Sequence, residues 1–334
     1  MLPDHLLTAI EAAQRQRGQF SAARFAPTPS GCLHLGNLRT ALLSWLQARL
    51  QGSAWLLRID DLDTPRNRAG AIPSILSDLH WLGLHWDGEV IQQSRRRGLY
   101  GSVLSALRRD GSLYPCRCSR RLLRQAAGGR SGAPGPYPGH CRGLAPDWGW
   151  RQERLPSWRL RLPPGRLVWE ERLGRQGGLD ASADVGDVVV RRADGVVAYH
   201  LATAVDELLL GISEVWRGED LWSATAPQVA VMAALGATPP RYGHLPLWRD
   251  PDGRRLAKRE GSAGLKLLRE AGMEAPDVIG RLAASVGLVP GGSRLSAAEL
   301  AREWRGRDLE HQLRSQASAA VQQAQQVPTG KLPL

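Results

Sequence analysis

Apolar residues recur at helical spacing early in the chain, directly after a short extended segment. Leu38, Leu42, Trp45 and Leu46 predict a helix over HLGNLRTALLSWLQARL, which starts beside His34. The preceding residues, ARFAPTPSG, predict a strand that ends in a turn. A strand, a glycine-containing turn and a helix are typical of a phosphate-binding site, because helix N-terminal amides attract anions.

The alternation of strands and helices continues on both sides of a different central region. SAWLLRID predicts a second strand, and the apolar positions of the next helix are Ile72, Ile75, Leu76, Leu79 and Leu82. The alternation returns in DVVVRRADGVVAYHLATAVDELLLG, where Asp194 and Gly195 predict a hairpin turn. The predicted fold class is therefore α/β with a parallel sheet, split by an insertion.

The pattern also predicts domain boundaries. We expect an N-terminal extension (1–20), a Rossmann-like first half (21–113), an insertion (114–184), a Rossmann-like second half (185–262), a C-terminal helical segment (263–313) and a disordered tail (314–334).

Composition adds a candidate class of partner. The formal net charge is +12, which favours a polyanion such as nucleic acid, although genome bias toward arginine is an alternative explanation. No apolar run approaches the roughly 20 residues that span a bilayer, and the N-terminus has no apolar signal core. We expect a cytoplasmic protein that does not bind membranes.

Three of the four cysteines predict a metal site. Cys116 and Cys118 form a C-x-C pair and Cys141 follows, a pattern that suits one structural Zn²⁺ in a reducing compartment. Buried apolar thiols are the alternative. On general grounds His140 is a candidate fourth ligand, because imidazole is a commoner zinc ligand than phenolate.

Two separated motifs carry the candidate chemistry. The first is His34-Leu35-Gly36-Asn37, placed where an imidazole and helix amides can hold ATP phosphates, and it resembles the HIGH signature of class I aminoacyl-tRNA synthetases. The second is the basic segment 254–261, RRLAKREG, which resembles their KMSKS loop and contains Lys258, one of only three lysines. Ala257 replaces the serine of that signature.

These motifs, together with RIDDLD (58–63) and WRGEDL (216–221), make residues 24–261 resemble the glutamyl subgroup of class I synthetases. The match is closest to its shortened branch, the glutamyl-queuosine tRNA(Asp) synthetases. The resemblance implies Zn²⁺ ligands Cys116, Cys118, Tyr137 and Cys141. It implies catalytic roles for His34 and Lys258, ATP binding by His34, Gly36, Asn37 and Lys258, and Mg²⁺ carried with ATP.

The resemblance also implies a pocket for glutamate, with residues Arg24, Phe25, Ala26, Pro27, Thr28, Asp60, Tyr199 and Arg217. Arginine forks suit the two carboxylates of glutamate, and a carboxylate suits its ammonium. Each residue has a simpler interpretation, since Asp60 and Arg217 could form ordinary ion pairs and Tyr199 could belong to the core. Asp60 departs from the family, which has glutamate there.

The implied function is activation of L-glutamate with ATP without tRNA, followed by transfer to queuosine at the wobble position of tRNA(Asp), by a monomer. One alternative is a shortened or discriminating glutamyl-tRNA synthetase that charges the tRNA 3′ end. This is disfavoured because little chain follows the Lys258 loop to form an anticodon-binding domain. Another is a zinc-bearing tRNA-binding module with an inactive site, suggested by Asp60 and Ala257.

Overall fold

The central sheet of the computed structural model has five parallel strands. The structure describes residues 3–126, 135–151, 154–174, 176–248 and 264–316. The strands are β1 (Ala22–Phe25), β2 (Ala54–Ile59), β3 (Ile91–Gln92), β9 (Glu214–Gly218) and β10 (Arg241–Leu245), in the order β10-β9-β1-β2-β3. All neighbours are parallel, which confirms the predicted fold class.

Helices cover both faces of this sheet. The helices of the described residues are α1 (Asp4–Gln19), α2 (Leu35–Leu50), α3 (Ala71–Trp81), α4 (Arg97–Arg109), α5 (Arg120–Ala126), α6 (Tyr199–Leu209), α7 (Trp222–Ala234), α8 (Gly264–Glu270), α9 (Ala275–Ala284) and α10 (Ala297–Glu303). Of these, α5 belongs to the insertion, where Leu123 packs against Cys116 and Tyr137. Successive residues of a strand point to opposite faces. Val215 of β9 accordingly packs in the core with α4, α6 and α7, and Trp216 in the core with α2, α3, α9 and α10.

The insertion contains smaller antiparallel sheets. One has β4 (Leu113–Cys116), β5 (Ser157–Leu160) and β8 (Val188–Arg191), and the other has β6 (Arg166–Val168) and β7 (Gly178–Asp180). Strand β8 pairs with β5, so the insertion sheet extends past the sequence boundary at residue 184. Local alternation predicted this strand but not its partner. The turn at Asp194-Gly195 forms, with Gly195 at a φ of 88°.

A segment beyond β6 lies against the edge of the central sheet. Glu171 bridges Tyr242 of β10 in parallel orientation, and the backbone N–H of Arg172 donates to the Tyr242 carbonyl at 2.7 Å. The guanidinium of Arg172 also pairs with Glu310 at 2.6 Å. This segment therefore connects the insertion, the central sheet and the C-terminal part.

Within the described residues, no helix is both long and apolar enough to cross a membrane. The cytoplasmic location and the monomeric state stay predictions.

Candidate active site and metal site

A cavity of about 440 Å³ opens at the carboxyl ends of β1 and β9. The chain leaves β1 toward β2 on one side and leaves β9 toward β10 on the other, so these adjacent strands form a topological switch point. Open parallel sheets bind ligands at such points. The lining includes ten predicted residues: Arg24, Phe25, Ala26, Pro27, Thr28, His34, Gly36, Asn37, Tyr199 and Arg217.

His34 caps the helix that faces this cavity. Its Nδ1 accepts a hydrogen bond from the backbone N–H of Asn37 at 3.2 Å. A Cβ on Gly36 would lie 3.1 Å from the imidazole, so glycine leaves room for the ring. Burial lowers the pKa of His34, which favours the neutral ring. With Nδ1 accepting, the proton of the neutral ring lies on Nε2, where it can donate to a phosphate oxygen.

Arg39, one turn into α2, is a lining residue that sequence reasoning missed. Its guanidinium donates to the carbonyl of Pro246 and lies 5.3 Å from the ring centroid of Trp248. Burial lowers the pKa of Arg39 to about 10. The guanidinium belongs to a residue near the N-terminus of α2. The available signal in the sequence was an arginine among the apolar residues of this helix, but the direction of its side chain depended on the tertiary fold.

Arg217 lies at the buried end of the cavity, with 3% of its surface exposed. It donates to His244 Nε2 at 3.1 Å, to Gln228 Oε1 at 2.9 Å and to Thr225 Oγ1 at 2.7 Å. Among the described residues no carboxylate forms an ion pair with it. Buried charges are normally paired, so this guanidinium is suited to receive an anionic group from a ligand.

Arg24 and Asp60 carry different interactions from those expected for direct ligands. The guanidinium of Arg24 pairs with the fully buried Glu207 at 2.8 Å, so its charge is already compensated within the protein. Asp60 binds Arg58 through both carboxylate oxygens, at 2.7 and 3.2 Å, and is not part of the cavity wall. Burial raises the pKa of Asp60, although Arg58 opposes this effect. Its contact with the ammonium of glutamate stays a prediction.

The remaining predicted pocket residues do reach the cavity. Residues 25–28 follow one another along the end of β1 and form one wall. Tyr199, the first residue of α6, is 38% exposed and faces the opening rather than the core. The core interpretation of Tyr199 is thus wrong. Lys258, Ala257 and the rest of segment 254–261 lie outside the described residues.

The predicted metal ligands converge in the insertion. The Sγ atoms of Cys116, Cys118 and Cys141 lie within 4.8 Å of one another. The Tyr137 hydroxyl is 3.5 Å from the sulfur of Cys116 and 3.7 Å from that of Cys118. Sulfurs on a tetrahedral Zn²⁺ are separated by about 3.8 Å, and Cys118 and Cys141 are 3.6 Å apart.

The donor set favours Tyr137 over His140 as the fourth ligand. His140 is exposed and touches Tyr137 with its ring edge, whereas the Tyr137 hydroxyl also accepts the backbone N–H of Cys141 at 2.9 Å. Burial raises the pKa of Cys118 to about 11. Hydrogen bonds from the Arg117 backbone and from Tyr137 overcome burial and lower the pKa of Cys141. A bound cation would stabilise all three thiolates, so these residues fit zinc.

Comparisons with known proteins identify the family of the chain. Residues 22–290 match the family described as tRNA synthetases class I (E and Q), catalytic domain. The chain is 57% identical to a Glutamyl-Q tRNA(Asp) synthetase of Prochlorococcus marinus (strain MIT 9303), covering 90% of this chain and 94% of that protein. It is 45% identical to the protein of the same name from Symbiobacterium thermophilum, covering 80% and 86% respectively.

A solved structure is similar over most of the chain. The glutamate tRNA ligase of Elizabethkingia meningosepticum, in complex with its amino acid, has a TM-score of 0.71 and 25% identity, covering 92% of this chain and 70% of that one.

Proposed function

The chain belongs to the class I tRNA synthetases for glutamate and glutamine, and we propose that it activates L-glutamate with ATP and transfers it to queuosine of tRNA(Asp). It is thus a ligase. The observation that carries the choice of substrate is Arg217, a buried cation that lines the cavity and is held by neutral acceptors. A second carboxylate on the amino acid would complete this site.

The position of the cavity suggests how the substrates are arranged. Phosphates would lie at the N-terminus of α2, where His34, Gly36, Asn37 and Arg39 meet the cavity. The α-carboxylate of glutamate would lie beside them, and Arg217 would receive the side-chain carboxylate. Glutamine lacks that negative charge, so the same contact would discriminate against it.

The proposed reaction follows from this arrangement. An oxygen of the α-carboxylate attacks the α-phosphorus of ATP in line, and the bond to the β-phosphate oxygen breaks, which releases pyrophosphate and leaves glutamyl-adenylate. His34 donates its Nε2 proton in a hydrogen bond to the phosphate oxygens. Mg²⁺ carried on ATP would neutralise part of the charge on the leaving group. Lys258 is proposed to add a second cation from the 254–261 segment.

Pyrophosphate exchange tests the activation step. We expect exchange with glutamate in the absence of tRNA, and far less with glutamine or aspartate. Exchange that needs tRNA would favour the tRNA-charging alternative. A complete lack of exchange, with and without tRNA, would favour the inactive tRNA-binding module.

The acceptor requires its own experiment. An anticodon stem-loop of tRNA(Asp) that carries queuosine should accept labelled glutamate, because the adenylate would then be attacked by a hydroxyl of the modified base. The matched stem-loop with guanosine should not. Label that enters queuosine-free tRNA, and that is lost when the 3′-terminal diol is oxidised, would point to ordinary tRNA charging.

Zinc has a structural role in this proposal. Cys116, Cys118, Tyr137 and Cys141 would hold one Zn²⁺ in the insertion, and the ion takes part in no step of the reaction. We also propose that the enzyme acts in the cytoplasm as a monomer.

A further inference from the structure

The guanidinium of Arg217 is supported by two side chains behind the cavity, His244 of β10 and Glu171 of the insertion segment. Arg217 Nε donates to His244 Nε2 at 3.1 Å, and His244 Nδ1 lies 2.6 Å from Glu171 Oε2. The side chains of His244 and Glu171 are only 2% and 1% exposed. We infer that Glu171 and His244 are positioning residues that fix the tautomer needed to aim Arg217 at the substrate carboxylate.

The direction of each hydrogen bond supports this inference. An arginine N–H can only donate, so His244 Nε2 must accept and its proton must lie on Nδ1. The Glu171 carboxylate accepts that Nδ1 proton. A histidine with its proton on Nε2 would instead face Arg217 with a second donor, and the bond would be lost. Carboxylates that orient a working imidazole act in this way in other sites.

Glu171 is itself fixed by the backbone. Its other oxygen, Oε1, accepts the backbone N–H of His244 at 3.1 Å and that of Leu173 at 3.5 Å. These contacts and the hydrogen bond to His244 lower the pKa of Glu171 against the opposing effect of burial. The carboxylate is therefore held ionised, with one oxygen directed at the backbone and the other at the imidazole.

The orientation of the Arg217 guanidinium depends on the hydrogen bond to His244 because it has few other acceptors. Its Nη atoms each donate once, to Gln228 and to Thr225, and one N–H of each Nη remains for a ligand. The Nε bond fixes the plane of the guanidinium. Two parallel N–H groups bind a carboxylate well only when that plane is correct.

The inference links the insertion to substrate recognition, and it rests on the proposed function in that Arg217 binds the glutamate side chain. Glu171 belongs to the segment that leaves β6 and lies beside β10. Glu171, a residue of the insertion, would thus determine how well Arg217 of the central sheet binds the side-chain carboxylate of glutamate.

Glu171→Gln is the sharpest test because it keeps the shape of the side chain. Two backbone donors hold the amide oxygen at the Oε1 position, so the NH₂ group faces His244 Nδ1 and the imidazole proton moves to Nε2. We expect the dissociation constant for glutamate to rise about tenfold, which corresponds to roughly 1.4 kcal/mol, while that for ATP stays within about twofold. The control Glu170→Gln alters an exposed neighbour whose carboxylate pairs with Arg172 rather than with His244, and it should change neither constant.

Nitrogen NMR of histidine-labelled protein reads the tautomer directly and requires no activity. The chain has eight histidines, and the signal absent from His244→Gln identifies the residue. We expect Nδ1 protonated in the wild type and Nε2 protonated in Glu171→Gln. If the wild-type proton of His244 lies on Nε2, the inference is overturned even when glutamate-dependent exchange is normal. This measurement on the wild type can be made even if the variant does not fold.

A double variant separates positioning from a general loss of structure. In an Arg217→Ala background, Glu171→Gln should not weaken glutamate binding further, because the guanidinium that Glu171 helps to orient is already absent. An additional tenfold loss would overturn the inference. Failure of the wild type to activate glutamate would instead contradict the proposed function, while the NMR result for the His244 tautomer would remain valid.

Discussion

At the residue scale, buried arginines in and near the cavity differ in whether a carboxylate of the protein already pairs with them. Arg24 has Glu207 and Arg58 has Asp60, and both pairs are buried. Arg217 is equally buried but is held by Gln228, Thr225 and His244. In an ion pair within the protein the charge of the arginine is already compensated, whereas a buried guanidinium with neutral partners is suited to bind an incoming anion.

Arg217→Lys tests this distinction. Lysine keeps the positive charge but cannot present two parallel N–H groups. We expect glutamate to bind roughly 100-fold more weakly, about 2.7 kcal/mol, with little change for ATP. Isothermal titration with each ligand measures both constants, and a parallel loss for ATP would show that Arg217 does not act on glutamate alone.

Asp60→Asn examines the paired acid. It removes one of the two carboxylates beside Arg58 and leaves Asp206 at 3.7 Å, so the free energy of unfolding should fall by about 2 kcal/mol, the scale of lost hydrogen bonds to a charged group. The KM for glutamate in the folded enzyme should change less than about threefold. Urea unfolding and pyrophosphate exchange give the two values. A large rise in the KM for glutamate with an unchanged free energy of unfolding would indicate that Asp60 binds glutamate directly.

At the element scale, short segments bring distant groups together. Helix α6 carries Tyr199 at the cavity and Glu207 in the core, while the insertion gathers its cysteines between β4 and the Tyr137 region. The helix and the insertion sheet meet at a smaller cavity of about 250 Å³, lined by His200 and Tyr137 among others.

The insertion should bind one zinc ion per chain. Cys116→Ser replaces a thiolate donor, so metal content should fall to near zero and the insertion should become protease-sensitive, because structural zinc contributes folding free energy. Mass spectrometry of metals and limited proteolysis check this result. Cys32→Ser, a change of the cysteine outside the cluster, should retain the metal.

We expect the buried His200 of α6 to make the folded chain less stable in acid. Burial and then the charge of Arg217 lower its pKa from 6.5 to about 4. As the pH falls below about 6.5, the unfolded chain binds this proton first, so the free energy of unfolding decreases until the pH reaches about 4. His200→Gln should lose less stability than the wild type between pH 7 and pH 4.5 in urea unfolding. The exposed-site control His5→Gln should behave as the wild type does.

At the scale of the whole molecule, two exposed arginines near the predicted zinc site are candidates for contacts with a polyanion. The net charge of +12 includes the exposed Arg121 and Arg124 on α5, next to the predicted zinc site. Phosphate contacts position a nucleic acid without reading its sequence. The insertion would then hold the tRNA arm while the cavity selects the modified base.

Charge reversal on α5 tests this arrangement. The double variant Arg121→Glu and Arg124→Glu should raise the KM for tRNA about tenfold or more in transfer, with a weaker salt dependence, and should leave tRNA-free exchange unchanged. The double variant Arg302→Glu and Arg305→Glu, at the end of α10, makes the same change in net charge elsewhere and is the control. Equal effects of both variants would indicate a general response to net charge.

The sequence by itself determined the features that depend on local spacing. Helical periodicity gave α2, and the motif at His34 lies at its N-terminus because capping involves only neighbouring residues. The cysteine spacing likewise predicted a cluster, and the resemblance gave Tyr137 as its oxygen donor. The parallel sheet followed from the alternation of strands and helices.

Only the tertiary structure decided which charges are available to a ligand. Arg24 pairs with Glu207, which lies 183 positions away in the sequence. Arg217 contacts His244, and His244 in turn contacts Glu171 of the insertion. Strand β8 joined β5 rather than the central sheet. A local pattern fixes the period and the buried face of an element, but it does not specify the distant partner, because that choice depends on how all elements pack together.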